Sequence, residues 1–158
     1  MTTRSSGSRA VALGAATGLR TFMAPAILSQ AASRGRLPGM EDTRFSPLTS
    51  SWAANLLAVA ALGEVLGDKL PFAPSRTENG ALGGRLVSGA ISGAAFRSAT
   101  GRNALTGAAL AGAGAVAAAY AGERYRALGA EAGIPDPVLA VLEDATAMGL
   151  ALFAVRGS

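Results

Sequence analysis

The sequence predicts an all-α fold, a helix bundle of four to five transmembrane helices, from three observations. Alanine (37 residues) and glycine (21) make up more than a third of the 158 residues. Alanine is the best helix former, and small residues let helices pack closely. Five apolar stretches are separated by clusters of proline, glycine and charge, where helix breakers belong. None of the five alternates with the period of two that a half-buried strand needs. Charged residues are only 15% of the chain, against roughly 25% in an ordinary soluble domain. Residues 49–63 and 104–122 carry no charge at all, so helices built from them have no polar face to show to water.

The elements follow in order. Residues 1–9 are polar, Ser-rich and basic, and read as a disordered leader before a single helical domain, 10–158. The first apolar stretch, 10–33, is long enough to cross a bilayer but is interrupted by Arg20 and Pro25. The second, 48–67, has Trp52 near its start, at an interfacial anchor position. It runs into Glu64, Asp68 and Lys69, then Pro71 and Pro74. The third, 84–100, is Gly- and Ser-rich and contains Arg97. The fourth, 104–122, is almost all alanine and glycine and is closed by Glu123, Arg124 and Arg126. The fifth, 137–155, carries Glu143 and Asp144 a third of the way along. Three glycine pairs at four-residue spacing, Gly14/Gly18, Gly63/Gly67 and Gly89/Gly93, place two glycines on one helix face and are candidate helix-packing sites. A weak internal echo pairs the Arg20 segment with the Arg97 segment, and the stretch before Glu64 with the one before Glu123. Internal repeats of that kind are common in transport folds.

Composition excludes several chemistries. With no histidine and no cysteine, there is no thiolate nucleophile, no Ser-His-Asp triad, no Cys/His zinc site and no disulfide. The net charge is +4. The arginines are scattered without interleaved aromatics, so nucleic acid is not an expected partner. Basic residues flanking apolar stretches suit a membrane protein, and their distribution favours an inside N-terminus only slightly. No cofactor or metal is implied, and the chain is not expected to be an enzyme. A membrane-embedded enzyme acting on lipid is the weakest alternative, since acids alone would have to carry it.

The charges inside the apolar stretches are the most informative residues. An unpaired charge at bilayer depth costs at least ~2.5–3.5 kcal/mol, so such residues face the bundle interior and pair. Arg20 is therefore expected to pair with Glu143 or Asp144. Arg97, Glu64 and Glu123 lie near the ends of their stretches, where long side chains snorkel. Asp68 lies one helical turn after Glu64, on the same face. Together Arg20, Glu64, Asp68, Lys69, Arg97, Glu123, Glu143 and Asp144 form the candidate polar site or pathway.

Two motifs carry a family resemblance. Gly18-Leu19-Arg20-Thr21-Phe22-x-x-Pro25 and Glu64-x-x-x-Asp68-Lys69-Leu70-Pro71 resemble a family of small bacterial integral membrane proteins, the domain of unknown function 4126. The resemblance implies a multi-pass protein of the bacterial inner membrane and supplies no reaction. It singles out Arg20, Pro25, Glu64, Asp68, Lys69 and Pro71. The function expected is that of a small transporter or channel-like protein for an ion or solute. The alternative is a non-transporting scaffold or assembly protein whose ion pairs only lock helices. The lipid bilayer is the expected partner, and the glycine faces leave room for a second copy of the chain.

Overall fold

The computed structural model describes residues 3–67 and 79–156. Six helices follow one another: α1 (Thr3–Leu19), α2 (Met23–Ser33), α3 (Ser51–Gly67), α4 (Asn79–Ala99), α5 (Ala104–Glu131) and α6 (Asp136–Val155). Two short 3₁₀ turns, Pro38–Met40 and Ser46–Thr49, shape the link from α2 to α3. The described residues contain no strand.

Local chemistry sets the ends. The Asn103 side chain accepts the Thr106 amide at 3.0 Å and caps the start of α5. At the end of α5, Gly133 adopts a positive φ of 75°, a conformation that costs glycine nothing. There the Ile134 amide reaches back to the Gly129 carbonyl and the Gly133 amide to that of Ala130, which is the Schellman closure. Gly101, with φ 66°, closes α4 in the same way, through bonds from Arg102 to Arg97 and from Gly101 to Ser98.

Three expectations are corrected. The segment read as a disordered leader is helical from Thr3 onward. The first apolar stretch is two helices, since α1 stops at Leu19 and α2 begins at Met23. The fourth stretch does not end as a helix at residue 122, because Glu, Arg, Tyr and Ala continue α5 until Gly133 and Pro135 stop it. Charge marks the end of the apolar run, not the end of the helix.

Helices α1, α4 and α5 form the tightly packed heart of the bundle, with α6 against α1 and α2, and α3 against α2. Glycine makes that heart possible. A Cβ on Gly14 would sit in the carbonyl of Ala111, and one on Gly18 in that of Ala115. Gly93 and Gly107 face each other's carbonyls across α4 and α5. Gly89 lies against Thr17 and Ala115. The third pair behaves differently: a Cβ on Gly63 or Gly67 of α3 would meet no neighbouring atom within 4 Å. Their spacing matches the other two pairs, but the described residues bring no helix to that face. Beside the glycine contacts, Leu13, Leu28, Met40 and Phe96 fill a core completed by alanines from α1, α2, α4 and α6.

Among the described helices, α5 and α6 are long and apolar enough to cross a membrane, while α3 is apolar but shorter. Much of the outer surface is apolar. Trp52 (74% exposed), Leu56, Val59, Leu62 and Leu66 project from α3, and Val138, Val141, Leu142, Met148 and Phe153 from α6.

The glycine contacts give a direct test. Gly14→Ala forces a methyl group into the α5 backbone and is expected to destabilise the fold by about 1–3 kcal/mol or more. Gly63→Ala meets open space in the chain and is expected to add about 0.5–1 kcal/mol, the usual gain of alanine over glycine within a helix. Thermal melting of the purified variants, followed by size-exclusion chromatography, compares the two; equal effects would contradict the packing described.

Candidate functional site

The break between α1 and α2 organises the site. Pro25 is the third residue of α2, where its missing amide costs little. Had the helix run on, its ring would have clashed with the carbonyl four residues back, that of Thr21. The chain therefore leaves the helix across Arg20–Phe22, and the backbone groups there need other partners.

Side chains from α3 and α4 supply them. Glu64 of α3 accepts the amide of Thr21 at Oε1 (2.7 Å) and that of Phe22 at Oε2 (2.9 Å). Arg85 of α4 donates through Nη1 to the carbonyls of Gly18 (2.5 Å) and Leu19 (3.0 Å). The Ser88 hydroxyl donates to the Thr21 carbonyl at 2.6 Å. Arg85 and Glu64 also approach each other, with Nη2 3.9 Å from Oε1. One ion pair thus caps two helix ends of opposite polarity: the carboxylate sits at the positive start of α2, and the guanidinium at the negative end of α1.

Arg20 leaves the same break in another direction. It is 1% exposed, and its Nε donates to Asp144 Oδ1 of α6 at 2.5 Å. One residue earlier on α6, Glu143 is 3% exposed and accepts Arg126 Nε of α5 at 3.1 Å. Arg126 Nη1 reaches Asp136 Oδ1 at 3.4 Å. The result is a polar seam through an apolar bundle: Glu64 and Arg85 at the break, Arg20 with Asp144 beside it, and Arg126 with Glu143 and Asp136 where α5 meets α6.

Of the residues singled out from sequence, Arg20, Glu64, Glu143 and Asp144 thus lie in this seam. Arg97 does not; it is buried at the α4–α5 turn, where its Nε donates to the Asn103 carbonyl at 3.3 Å. The two arginines aligned by the internal echo therefore make different contacts. Glu123 is exposed on α5, in a shallow groove with Tyr120, Arg124 and Leu128. Asp68 and Lys69 lie outside the described residues. Sequence reasoning does not single out Arg85, Ser88, Arg126 or Asp136 for the site. Arg85 carries one usable signal, an arginine one turn before Gly89 on a Gly-rich helix. Among the described residues, no group of three or more His, Cys, Asp or Glu side chains is placed to hold a metal ion.

Fold and site together define a small all-helical protein built on a broken helix, whose ends are capped by charged side chains and whose buried charges are paired across helices. The chain belongs to the family described as Domain of unknown function (DUF4126), whose model matches residues 8–156. No curated protein and no solved structure matches the chain.

Two substitutions follow from the geometry. Glu64→Ala removes the acceptor for two amides and the acid beside Arg85, which keeps its two carbonyl partners, so it is expected to cost about 1–3 kcal/mol, the range for leaving a buried donor unsatisfied. Glu123→Ala, on the exposed face of α5, is expected to stay within about 0.5 kcal/mol. For Arg20 and Asp144, either single apolar substitution is expected to be costly, and Arg20→Met with Asp144→Leu to recover most of the loss. Melting temperatures of the four-member cycle check this; additive losses would rule out the coupling.

Proposed function

We propose that the chain is a multi-pass protein of the bacterial inner membrane. In this reading it is a small transporter or channel-like protein with a polar site for an ion or solute at the broken helix. The observation that carries the reading is the break itself, with Glu64 and Arg85 on its ends and the Arg20–Asp144 pair beside it. Discontinuous helices whose ends meet charged groups inside a bundle are the recurring way in which transporters build a site in lipid. Irregular backbone within a membrane is tolerated only where protein or a cavity satisfies it, and side chains satisfy it here.

The exposed apolar faces of α3 and α6 support the membrane setting. An apolar surface of that extent is a liability in water and the ordinary surface of a protein solvated by lipid. In this arrangement α1 and α2 together make one crossing, and α3, α4, α5 and α6 the others. A second reading is a scaffold or assembly protein. The observation favouring it is that the seam's charges meet one another within the chain, as Arg20 does Asp144 and Arg85 does Glu64. Pairs of that kind lock helices without moving anything.

Membrane fractionation with an alkaline carbonate wash comes first, and the protein is expected to stay in the pellet until detergent is added. Release by carbonate would overturn the membrane assignment. Ion and solute flux in reconstituted liposomes then separates the two readings. Transport predicts flux above empty liposomes that Arg20→Ala abolishes while the protein still inserts. Flux indistinguishable from that of empty liposomes favours the scaffold.

A further inference from the structure

Helix α3 stands at the edge of the bundle. Among the described residues it packs on α2 and on the 3₁₀ turn that precedes it. Its one charged residue, Glu64, is turned inward onto the amides of Thr21 and Phe22. The opposite face carries no charge. Trp52, Leu56, Val59, Leu62 and Leu66 lie there, each more than half exposed, together with the exposed Asn55. Residues 52, 55, 59, 62 and 66 follow one another at alternating steps of three and four. That repeat runs as a straight seam along a helix and is the pattern on which two helices wind together.

Apolar residues alone do not decide what covers such a face, because in lipid an acyl chain serves a leucine as well as another leucine does. Asn55 decides it. Its amide offers two donors and an acceptor oxygen, and its side chain makes no hydrogen bond among the described residues. Other polar side chains in the helices close on their own backbone. The hydroxyls of Thr17, Ser92 and Thr146 bond the carbonyls of Gly14 (2.7 Å), Ser88 (2.8 Å) and Leu142 (2.7 Å). With Trp52 anchored at the headgroups, Asn55 lies three residues, about 4.5 Å, further in, and Val59 follows it along the seam. An amide facing hydrocarbon without a partner is costly, and asparagines bonded across a helix pair are a recurring glue in membranes.

We infer that the chain pairs with a second copy of itself through α3, the two helices running parallel, with the Asn55 amide hydrogen-bonded to Asn55 of the partner subunit. An amide both donates and accepts, so it is complementary to itself. Copies inserted in the same way share one orientation, and a two-fold axis along the membrane normal sets each seam residue opposite its own equivalent. No charge on this face repels its copy. The pairing rests on the membrane setting proposed above and is independent of transport.

The chain has no cysteine, so single cysteines report contacts without background. On mild oxidation of carbonate-washed membranes, Val59→Cys on the seam is expected to give a disulfide-linked dimer. Met148→Cys, exposed on α6, is expected to give far less. Sedimentation equilibrium of the purified full chain in detergent is expected to show a monomer–dimer equilibrium. Asn55→Leu is expected to weaken it about tenfold, or about 1.4 kcal/mol, and Asn55→Gln, which keeps the amide, to retain most of the affinity. Asn55 is exposed, so its replacement leaves the fold in place. A monomer retained in washed membranes would overturn the interface and leave the membrane setting standing; release by carbonate would overturn both. Equal cross-linking at positions 59 and 148, or an Asn55→Leu protein that dimerises as well as the unsubstituted chain, would also overturn the interface. So would a Val59→Cys adduct of a mass other than two copies, which would put a different protein on this face.

Discussion

Gly18 and Leu19 leave two carbonyls, and Thr21 and Phe22 two amides, where the chain has no helix of its own to satisfy them. Each such group, buried without a partner, costs about 1–3 kcal/mol, and more in hydrocarbon. The structure answers with Glu64 and Arg85, from two different helices and of opposite sign. Much else depends on this arrangement. It fixes the start of α2, ties α3 and α4 to the first helix, and frees Arg20 to point away toward α6. Without Pro25 the break would have no cause; without the Glu64–Arg85 pair only the Ser88 hydroxyl would be left to support it.

The glycines put the pair within reach. Arg85 lies one turn before Gly89, and Gly89 lies against Thr17 of α1 and Ala115 of α5. Gly18, whose carbonyl Arg85 caps, itself lies against Ala115. Bulkier side chains at these positions would push α4 outward by more than the difference between a hydrogen bond and none. Small-residue packing and charge capping are therefore one device. Close approach of the backbones brings the guanidinium to the carbonyls, and the capped break holds the helices at that approach.

This division explains what was legible in the sequence. The helical class was legible because composition and breakers act locally. That Arg20 needs an acid was legible because a charge amid apolar residues must pair, and the last helix held the acids. Where the helix breaks was only half legible. Arg20 and Pro25 both stand out, but the break falls between them because proline acts on the carbonyl four residues earlier. Arg85 was not legible as a cap, since its partners are backbone atoms 66 and 67 residues away and carry no side-chain signature. The glycine pairs show the same limit. Gly14/Gly18, Gly89/Gly93 and Gly63/Gly67 share one spacing, and spacing gives a face without saying what covers it. Similarly, the run of charge after Gly122 ends the apolar part of α5 and leaves its helix intact for nine further residues.

Glu143 and Asp144 are consecutive, so on a helix of 3.6 residues per turn they point about 100° apart. Asp144 faces α1 and holds Arg20, while Glu143 faces α5 and holds Arg126. Helix α6 is thus tied to the end of α1 and to α5 through adjacent side chains. A rotation of α6 that lengthens one pair changes the other, because both project from the same turn. Separating α6 from α1 or α5 takes a charge from its partner in an apolar surround, the costly way to break a buried pair. The rotation of α6 is therefore set by two pairs at once, and neither can lengthen alone.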